Sequence, residues 1–507
     1  MNRRDFLIAA PSTLAALRTP HSLWQAINTS EQPIVFSIDV NSQIASIPAN
    51  MMGLSYETTQ LGEPEFFSSA NRGLIALFKT LSPHGSLRLG GNTSEFTYFK
   101  GSANAQAPPW TPEPTQPKTL TAITPEALKN LRRFLDVTGW SCIYGLNLGT
   151  ATPHRVAEEA EAVTRILGPK LDYFQIGNEP NNYIRYKLRP DTWNEKVYVD
   201  QWLSFAHAVI QRVPNAKLGG PDMGAERPWM QHFANQAVGD LQQHLVEITD
   251  HFYAEGPPTS PEATIQNLLF NKKIEHEIAV TVEAGKTAGR PYRMTEVNSC
   301  YQGGKPGVSD TLGAALWSAE LTLKLLSAGF SGINFHGGAA RQIRSSLGGV
   351  MPGDTVANQE ADDSYYTPIA GDTSSGYTAR PIYYGMLVAA RMAGSTLVGG
   401  SFTTPQPALS AYAARSIDGR SMQVVVFNKS AQAVDILFQP GVPLRHATVE
   451  FLTAPALDAT NGVHFGGAAI TKDGHWKPSQ VIELKRVTSG EFKLSIGAGS
   501  AALVQLQ

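Results

Sequence analysis

The chain has 507 residues, of which 42% are hydrophobic and 17% charged, and its formal net charge is -2. This composition is typical of a folded globular protein, and the length predicts two or three domains. A nearly neutral charge excludes a global attraction to nucleic acid or to an anionic membrane, and no apolar run reaches the roughly 18 residues of a membrane span.

The first thirty residues carry features of an export signal. The paired Arg3 and Arg4 are followed by an acidic residue, two apolar residues and a short, weakly apolar stretch. This order resembles a twin-arginine signal, so residues 1–30 are expected to be a signal and a linker. The protein would then be bacterial, would cross the membrane folded and would be periplasmic or extracellular. The alternative is a slightly basic, disordered tail.

The first strand-like segment has no helix after it. Residues 34–46 alternate apolar and polar side chains, as in a half-exposed antiparallel strand, so residues 31–47 are expected to join a β-domain formed elsewhere. From residue 48 onward, short apolar runs alternate with longer amphipathic runs, which is typical of repeated strand–helix units. The candidate strands are 52–57, 86–91, 140–149, 171–179, 216–222, 248–256, 291–299 and 332–338.

Helices fit between these strands. Thr124 and Thr152 each precede a proline, which predicts a capping residue followed by proline at the first helical position. Residues 310–329 place leucines on one face of a helix, and Gly329 lies where the helix should end. Eight strand–helix units predict an α/β fold, a (β/α)8 TIM barrel over residues 48–395.

The remaining segments do not follow this repeat. Residues 100–122 and 339–380 are long and have little periodicity, so they are expected to be βα loops at the face where such barrels have their active sites. After about residue 395 the helical pattern ends, and strand-like segments separated by turn residues follow. Residues 396–507 are therefore expected to form an accessory C-terminal β-sandwich.

The two cysteines, Cys142 and Cys300, point to no redox or metal chemistry. Two cysteines are too few for a disulfide scaffold, and no cysteine–histidine spacing matches a zinc site. Both are expected to be free thiols packed in the interior, and no metal or organic cofactor is expected.

Two glutamates end strands that face each other across the barrel mouth. Asn178 and Glu179 end the fourth strand, and Thr295 and Glu296 end the seventh. A pair of carboxylates in this position suits retaining glycoside hydrolysis, in which one is the nucleophile and the other the acid/base. The alternative, that both are solvated loop acids, is weakened because they occur together and Asn178 directly precedes the first.

Four features resemble the heparanase and β-glucuronidase family, glycoside hydrolase family 79. Three are sequence stretches, and the fourth is the β-domain placed before and after the barrel. The resemblance covers nearly the whole chain after the expected signal, although "GNEP" alone would identify only the larger clan of retaining glycosidases. The stretches are "LSPHGSLRLGGNTSEF" at 81–96, "FQIGNEPNNY" at 174–183 and "MTEVNSCYQGGKPG" at 294–307.

The resemblance implies roles for the matching positions. Glu179 would be the acid/base and Glu296 the nucleophile, while Asn178 would hydrogen-bond the sugar 2-hydroxyl. A second set would hold a uronic carboxylate with backbone N–H groups and a phenol, without a fixed cation. That set consists of Tyr301, Gly303 and Gly304. The alternative for this glycine segment is an ordinary tight turn.

Six further residues are candidates for the sugar site, namely Glu57, Asn92, Arg88, Tyr253, His336 and Tyr366. Arg88 is expected to support the nucleophile or to form a structural ion pair inside the barrel. Tyr253 and His251 share one face of the sixth strand and border the nucleophile or belong to the core. His336 lines the sugar site or is a core residue, and Tyr365 is the alternative to Tyr366.

The basic segment "RYKLR" follows the acid/base closely. Arg185, Lys187 and Arg189 are expected to form a solvated basic face, with recognition of an acidic aglycone as the alternative.

The residues and the resemblance together predict a retaining exo-β-glucuronidase that removes terminal glucuronic acid, with or without a 4-O-methyl group, from a carbohydrate. The first alternative is an endo-acting, heparanase-like enzyme, which the lack of a long Lys/Arg block disfavours. The others are a glycosidase for another sugar, such as a xylosidase or glucosidase, and a non-catalytic carbohydrate-binding protein. Nucleic-acid and membrane partners are not expected, and the sequence leaves the oligomeric state open.

Overall fold

The computed structural model describes residues 34–113, 118–346, 364–488 and 490–507. The expected export signal in residues 1–30 lies outside these ranges, as do parts of the two long βα loops. Within the described residues, no helix has the length and apolar character needed to cross a membrane. Cys142 and Cys300 are buried free thiols, as expected.

The strands occur along the whole described chain. They are β1 Ile34–Ser46, β2 Met52–Glu57, β3 Ser86–Gly90, β4 Thr97–Phe99, β5 Thr121–Ile123, β6 Ser141–Leu146, β7 Leu171–Ile176, β8 Leu218–Met223, β9 Leu245–Glu255, β10 Tyr292–Cys300, β11 Ile333–Gly337, β12 Ile369–Asp372, β13 Gly376–Ala379, β14 Thr396–Phe402, β15 Leu409–Arg415, β16 Met422–Asn428, β17 Val434–Gln439, β18 Ala447–Thr453, β19 His464–Phe465, β20 Ile482–Glu483, β21 Lys485–Thr488, β22 Glu491–Ile496 and β23 Ser500–Leu506.

The helices lie between the barrel strands and end before β14. They are α1 Arg72–Leu81, α2 Pro125–Thr138, α3 Pro153–Leu167, α4 Glu195–Arg212, α5 Arg227–Leu241, α6 Ile265–Leu269, α7 Lys273–Ala288, α8 Leu312–Ser327, α9 Ala340–Ser346 and α10 Pro381–Ala390.

Eight parallel strands form a closed barrel in the described part of the chain. Their order around the barrel is β10-β11-β2-β3-β6-β7-β8-β9, so the strands follow one another in sequence and the circle closes between β11 and β2. All eight predicted barrel strands are present, which confirms the (β/α)8 fold. Because the strands are parallel, their carboxyl ends share one face of the barrel.

Local sequence signals explain where several helices begin. The Thr124 hydroxyl accepts a hydrogen bond from the Ala127 N–H at 3.1 Å, and Pro125 is the first residue of α2. Thr152 and Pro153 repeat this arrangement at α3. Since the first helical N–H groups have no partner inside the helix, a threonine cap satisfies one of them and proline removes another.

The C-terminal strands form a β-domain together with β1. Eleven strands of the described residues are linked by hydrogen bonds into one sheet, in which β1 lies between β14 and β17. Strands from both ends of this order share an apolar cluster that includes Phe36, Val424, Phe438 and Leu494. The sheet therefore curls over on itself about one core, so the expected sandwich is built from a single continuous sheet.

The β-domain packs directly on the barrel helices. In β16, Val424 and Val426 face the core of the β-domain, whereas Val425 and Phe427 belong to the main core shared with the barrel. Successive residues of a strand point to opposite faces, so β16 is buried on both sides. The interface also contains an ion pair, because the Lys429 ammonium lies 2.8 Å from Glu320 of α8.

The Glu320–Lys429 pair should contribute measurably to stability. The two side chains are only 17% and 8% exposed, so Glu320→Ala would leave an ammonium group largely buried without its carboxylate. We expect the free energy of unfolding to fall by about 2 kcal/mol, between the effects typical of surface and buried pairs. Chemical denaturation would measure the change.

The matched control for this prediction is Glu161→Ala. Glu161 pairs with Arg212 at 2.9 Å, but its side chain is 52% exposed, so the change should stay within about 0.5 kcal/mol. Equal effects of the two substitutions would contradict a special role for the interface pair.

Candidate active site

A cavity of about 540 Å³ opens at the carboxyl ends of the barrel strands. Most of the site residues predicted from the sequence lie in its wall, although they are scattered over some 300 positions of the chain. They are Glu57, Asn92, Glu179, Tyr253, Glu296, Tyr301, Gly303, His336 and Tyr366. The barrel therefore brings together residues that no local sequence pattern connects.

Glu296 lies on β10 and its side chain is only 7% exposed. Its Oε2 accepts a hydrogen bond from Arg88 Nη1 at 2.5 Å, and its Oε1 accepts one from the Tyr253 hydroxyl at 2.7 Å. Burial alone would raise the pKa of Glu296, but His336, His251 and Arg88, together with the Tyr253 hydrogen bond, lower it to about 2. Glu296 is therefore ionised at neutral pH, the state that a nucleophile requires.

Glu179 lies just beyond β7 and is the more exposed of the two carboxylates, with 17% of its side chain accessible. Its backbone has a φ of 46°, and its N–H donates to the Asp222 carbonyl at 2.9 Å. Its Oε2 accepts from Asn182 Nδ2 at 3.0 Å, and His251 Nδ1 lies 3.3 Å from its Oε1. The turn thus directs the carboxylate into the cavity, where it can exchange protons with substrate or water.

The spacing of the two carboxylates decides which reaction they suit. A carboxylate oxygen of Glu179 and one of Glu296 lie within 4.8 Å of each other. Retaining glycosidases have carboxyl groups about 5–5.5 Å apart, whereas inverting enzymes need about 6.5–9.5 Å to admit a water molecule. This geometry fits double displacement.

A buried network centred on Arg88 contacts Glu296 directly and reaches Glu179 through Asp222 and His251. Arg88 is 1% exposed and forms ion pairs with Glu296 and with Asp222. It also donates to Asn178 Oδ1 at 2.8 Å. Asp222 in turn lies 2.9 Å from His251 Nε2. Burial opposes ionisation of Asp222, but the charges of Arg88 and His251 hold its pKa well below the usual range.

His251 joins this network to Glu179. Burial alone would lower the pKa of His251, but the Asp222 and Glu296 carboxylates raise it to about 10. The imidazole is therefore positively charged at neutral pH and can hydrogen-bond to both Asp222 and Glu179. The sequence prediction for His251 was a position beside the nucleophile or in the core, whereas the structure places it between Asp222, at 2.9 Å, and Glu179, at 3.3 Å.

Three side chains of the site include atoms that could ligate a metal. Nitrogen or oxygen atoms of Glu179, His251 and Glu296 lie within 4.8 Å of one another. A metal-bound imidazole must be neutral, whereas the carboxylates of Asp222 and Glu179, at 2.9 and 3.3 Å from the ring nitrogens, favour the protonated form of His251.

Glu57 lies next to His336 in the cavity wall. Its Oε2 accepts hydrogen bonds from the Thr93 N–H at 2.9 Å and from the Thr93 hydroxyl at 2.7 Å, and His336 Nε2 lies 3.4 Å from its Oε1. Gly91 has a φ of 72°, and a Cβ there would collide with the Glu57 carboxylate. The glycine in "RLGG" is therefore required by the close approach of this acid.

The loop after β10 has an unusual backbone. Gln302, Gly303 and Gly304 have φ values of 62°, 89° and 87°, so three consecutive residues lie in the left-handed region. The Gly303 carbonyl accepts from the Tyr365 N–H at 2.8 Å, which positions the neighbouring Tyr366 in the cavity wall. The structure thus favours Tyr366 over Tyr365 as the residue of the site.

Three predicted site residues do not line the main cavity. Arg88 is buried beneath Glu296 and acts through it. Asn178 donates to Asn92 Oδ1 at 3.2 Å and borders a small adjoining cavity. Gly304 packs against Tyr366, where a side chain would collide with that residue, so its role is to let the loop close rather than to face a ligand.

Asp222 and Glu95 are buried acids that contact predicted site residues, and neither was predicted from the sequence. Asp222 ends a barrel strand, so the rule that identified Glu179 and Glu296 would also have identified it. Glu95 had no such signal. It accepts hydrogen bonds from the Asn178 N–H at 2.6 Å, the Gly149 N–H at 2.5 Å and the Tyr183 hydroxyl at 2.6 Å. Burial raises the pKa of Glu95 to about 6 despite these donors.

The structure divides the basic segment 185–189 into three different environments. Arg189 donates to the Gly149 and Leu148 carbonyls at 2.8 Å, so it is a structural residue. Lys187 is exposed and does not line the cavity, whereas Arg185 is exposed and does. The expectation of one solvated basic face is therefore wrong for Arg189, and Arg185 belongs to the cavity wall.

No protein-family profile matches the chain, but curated relatives do. A β-glucuronidase of Aspergillus niger is 26% identical over 492 residues, which cover 88% of this chain and 85% of that protein. A β-glucuronidase of Neurospora crassa is 28% identical over half of each chain. Mouse heparanase is 27% identical over 38% of this chain and 37% of its own.

Solved structures share the fold at lower identity. A 4-O-α-L-rhamnosyl-β-D-glucuronidase from Fusarium oxysporum 12S has a TM-score of 0.69 at 18% identity, covering 92% of this chain and 99% of its own. The family-51 arabinofuranosidase of Xanthomonas axonopodis pv. citri has a TM-score of 0.66 at 16% identity, covering 94% of this chain and all of its own. These neighbours support the barrel with its β-domain.

The site geometry and the relatives agree. Two carboxylates stand at the spacing of a retaining glycosidase, and the relatives are β-glucuronidases and a heparanase. The chain is a glycoside hydrolase similar to family 79.

Proposed function

We propose that this protein is a retaining exo-β-glucuronidase that releases terminal glucuronic acid from a carbohydrate or other glycoside. The observation that carries the proposal is the pairing of a buried, ionised Glu296 with a more exposed Glu179 within 4.8 Å. The β-glucuronidase relatives, one of which aligns over most of this chain, supply the class of sugar.

The reaction would proceed in two displacements. In the first, a carboxylate oxygen of Glu296 bonds to the anomeric carbon while the bond to the leaving oxygen breaks, and Glu179 gives its proton to that oxygen. In the second, Glu179 takes a proton from water, the water oxygen bonds to the anomeric carbon, and Glu296 is released. Two inversions give net retention.

The segment after β10 supports a uronic acid as the sugar. Tyr301 and Gly303 line the cavity that also contains Glu296, and the backbone at 302–304 is left-handed. A phenol and backbone N–H groups can bind a carboxylate by hydrogen bonds. A glucoside or xyloside lacks this carboxylate and would leave those donors without a partner.

Helix α9 supports an exo pocket over an endo cleft. Ile343 of α9 packs on Tyr366 and Tyr253 over the sugar site. Gln342 ties the helix to the other wall, since its amide accepts from the Thr59 hydroxyl and donates to Glu63, both at 2.8 Å. An endo-acting, heparanase-like enzyme, the second candidate, needs room for a polysaccharide substrate to extend past this wall on both sides of the bond that is cleaved.

Glu296→Gln should abolish measurable turnover, because an amide cannot act as the nucleophile. Glu179→Ala should lower kcat/KM about 10³-fold for a poor leaving group, but far less for an activated aryl group that departs without protonation. Steady-state kinetics with aryl β-glucuronides of graded leaving-group pKa would measure both effects. Glu262→Gln, at an exposed glutamate, is the control. Equal losses for good and poor leaving groups would rule out Glu179 as the acid.

Tyr253→Phe should change the pH dependence of the reaction. The hydroxyl donates to the ionised form of Glu296, so its loss should raise the pKa of Glu296 above its value of about 2. The acidic limb of the pH profile of kcat/KM should then move to higher pH by about one unit. Tyr412→Phe, in the β-domain, should leave the limb in place. An unmoved limb in a correctly folded Tyr253→Phe protein would contradict this account.

The sugar itself is tested by a set of matched substrates. We expect 4-nitrophenyl β-glucuronide to be hydrolysed at least about 100-fold faster, in kcat/KM, than the corresponding β-glucoside or β-xyloside. Tyr301→Phe should reduce this ratio, because it should lower kcat/KM for the glucuronide and leave kcat/KM for the other two substrates unchanged. Equal or reversed rates for the wild-type enzyme would refute the uronic acid assignment.

A further inference from the structure

Arg185 occupies a position in the cavity that the proposed reaction does not yet use. We propose that Arg185 binds an anionic group on the leaving-group side of the scissile bond, so that the enzyme prefers glucuronides whose aglycone carries a carboxylate or a sulfate. This inference rests on the proposed glucuronidase function and specifies the substrate class of the same site.

Arg185 lies on the same short segment as the acid/base. The short segment after β7 contains Glu179, Asn182 and Arg185, and its turn is closed by the Tyr186 N–H donating to the Asn182 carbonyl at 3.1 Å. Asn182 also holds the Glu179 carboxylate, at 3.0 Å. A general acid must lie next to the leaving oxygen, so the neighbouring residues of its own segment border the leaving group.

The cavity wall has several acidic side chains and few basic ones. Among the described residues that line the cavity, three are carboxylates, Glu57, Glu179 and Glu296, and Arg185 is the one lysine or arginine. Arg88 and His251 are already paired with Glu296, Asp222 and Glu179, so Arg185 is the cation of this wall that can pair with a second negative charge on a substrate. The planar fork of its guanidinium suits carboxylate and sulfate oxygens.

The Arg185 guanidinium is exposed and can bind a ligand. Within the described ranges it forms no ion pair, and it lies over the Tyr186 ring at 6.0 Å from the ring centroid. Burial raises the pKa of Tyr301 across the cavity, and the Arg185 charge opposes that rise. The positive charge therefore acts within the cavity, whereas Arg189 is committed to backbone carbonyls.

The test compares two aryl β-glucuronides of similar leaving-group pKa, one with a neutral aglycone and one with a carboxylate on the ring. We expect Arg185→Gln to reduce the preference for the anionic over the neutral substrate five- to tenfold, mainly through KM. Lys187→Gln removes the same charge two residues away on an exposed side chain outside the cavity wall, and it should leave the preference unchanged. A sulfonated aglycone in place of the carboxylated one identifies which anion is favoured.

Salt provides a second readout. Raising the ionic strength from about 0.02 M to 0.2 M should shrink the wild-type preference, because an exposed cation is screened at that concentration, and Arg185→Gln should be insensitive to salt in this ratio. An unchanged preference in Arg185→Gln, or equal losses on both substrates, would overturn the inference. Failure of the wild-type enzyme to hydrolyse either glucuronide would instead overturn the proposed function.

Discussion

The buried guanidinium of Arg88 is the interaction on which the site depends. It lies on β3 and reaches Glu296 on β10, Asp222 near the end of β8 and Asn178 beyond β7. A buried charge is costly unless it is paired and hydrogen-bonded, so these groups must occupy fixed positions around it. The network thereby sets where Glu296 lies and which protonation state it keeps. Through Asp222 and His251, the same charge also reaches Glu179.

The two carboxylates of the site, Glu179 and Glu296, differ because their surroundings differ. Glu296 is enclosed by one arginine, two histidines and a tyrosine hydroxyl, which favour its anion. Glu179 stands at the cavity mouth on a left-handed turn, with an amide and an imidazole as neighbours. Backbone strain is also concentrated here, since Glu179, Asp222 and Gln302 all have positive φ values. Such strain, of order 1–3 kcal/mol per residue, persists where the surrounding contacts require it.

The periodicity of strands and helices is a local signal, and it predicted the eight barrel strands that the structure contains. The ends of those strands singled out Glu179 and Glu296, which both line the cavity at the barrel mouth. The fourth strand was drawn too long, to residue 179, because the left-handed backbone at Gly177 and Glu179 ends it at Ile176. Glu95 was missed because its partner Asn178 is 83 residues away, and no periodic pattern records such a contact. The different fates of Arg185 and Arg189 also depend on tertiary contacts.

The position of β1 determines which truncated fragments of this protein could fold independently. Phe36 pairs with Phe402 on one side and with Phe438 on the other, so the sheet is completed by a segment that precedes the whole barrel. A fragment consisting of residues 396–507 would uncover the edges of both β14 and β17. Such open edges are templates for association with other chains. The barrel is thus an insertion between two parts of one sheet, and neither part is a separable module.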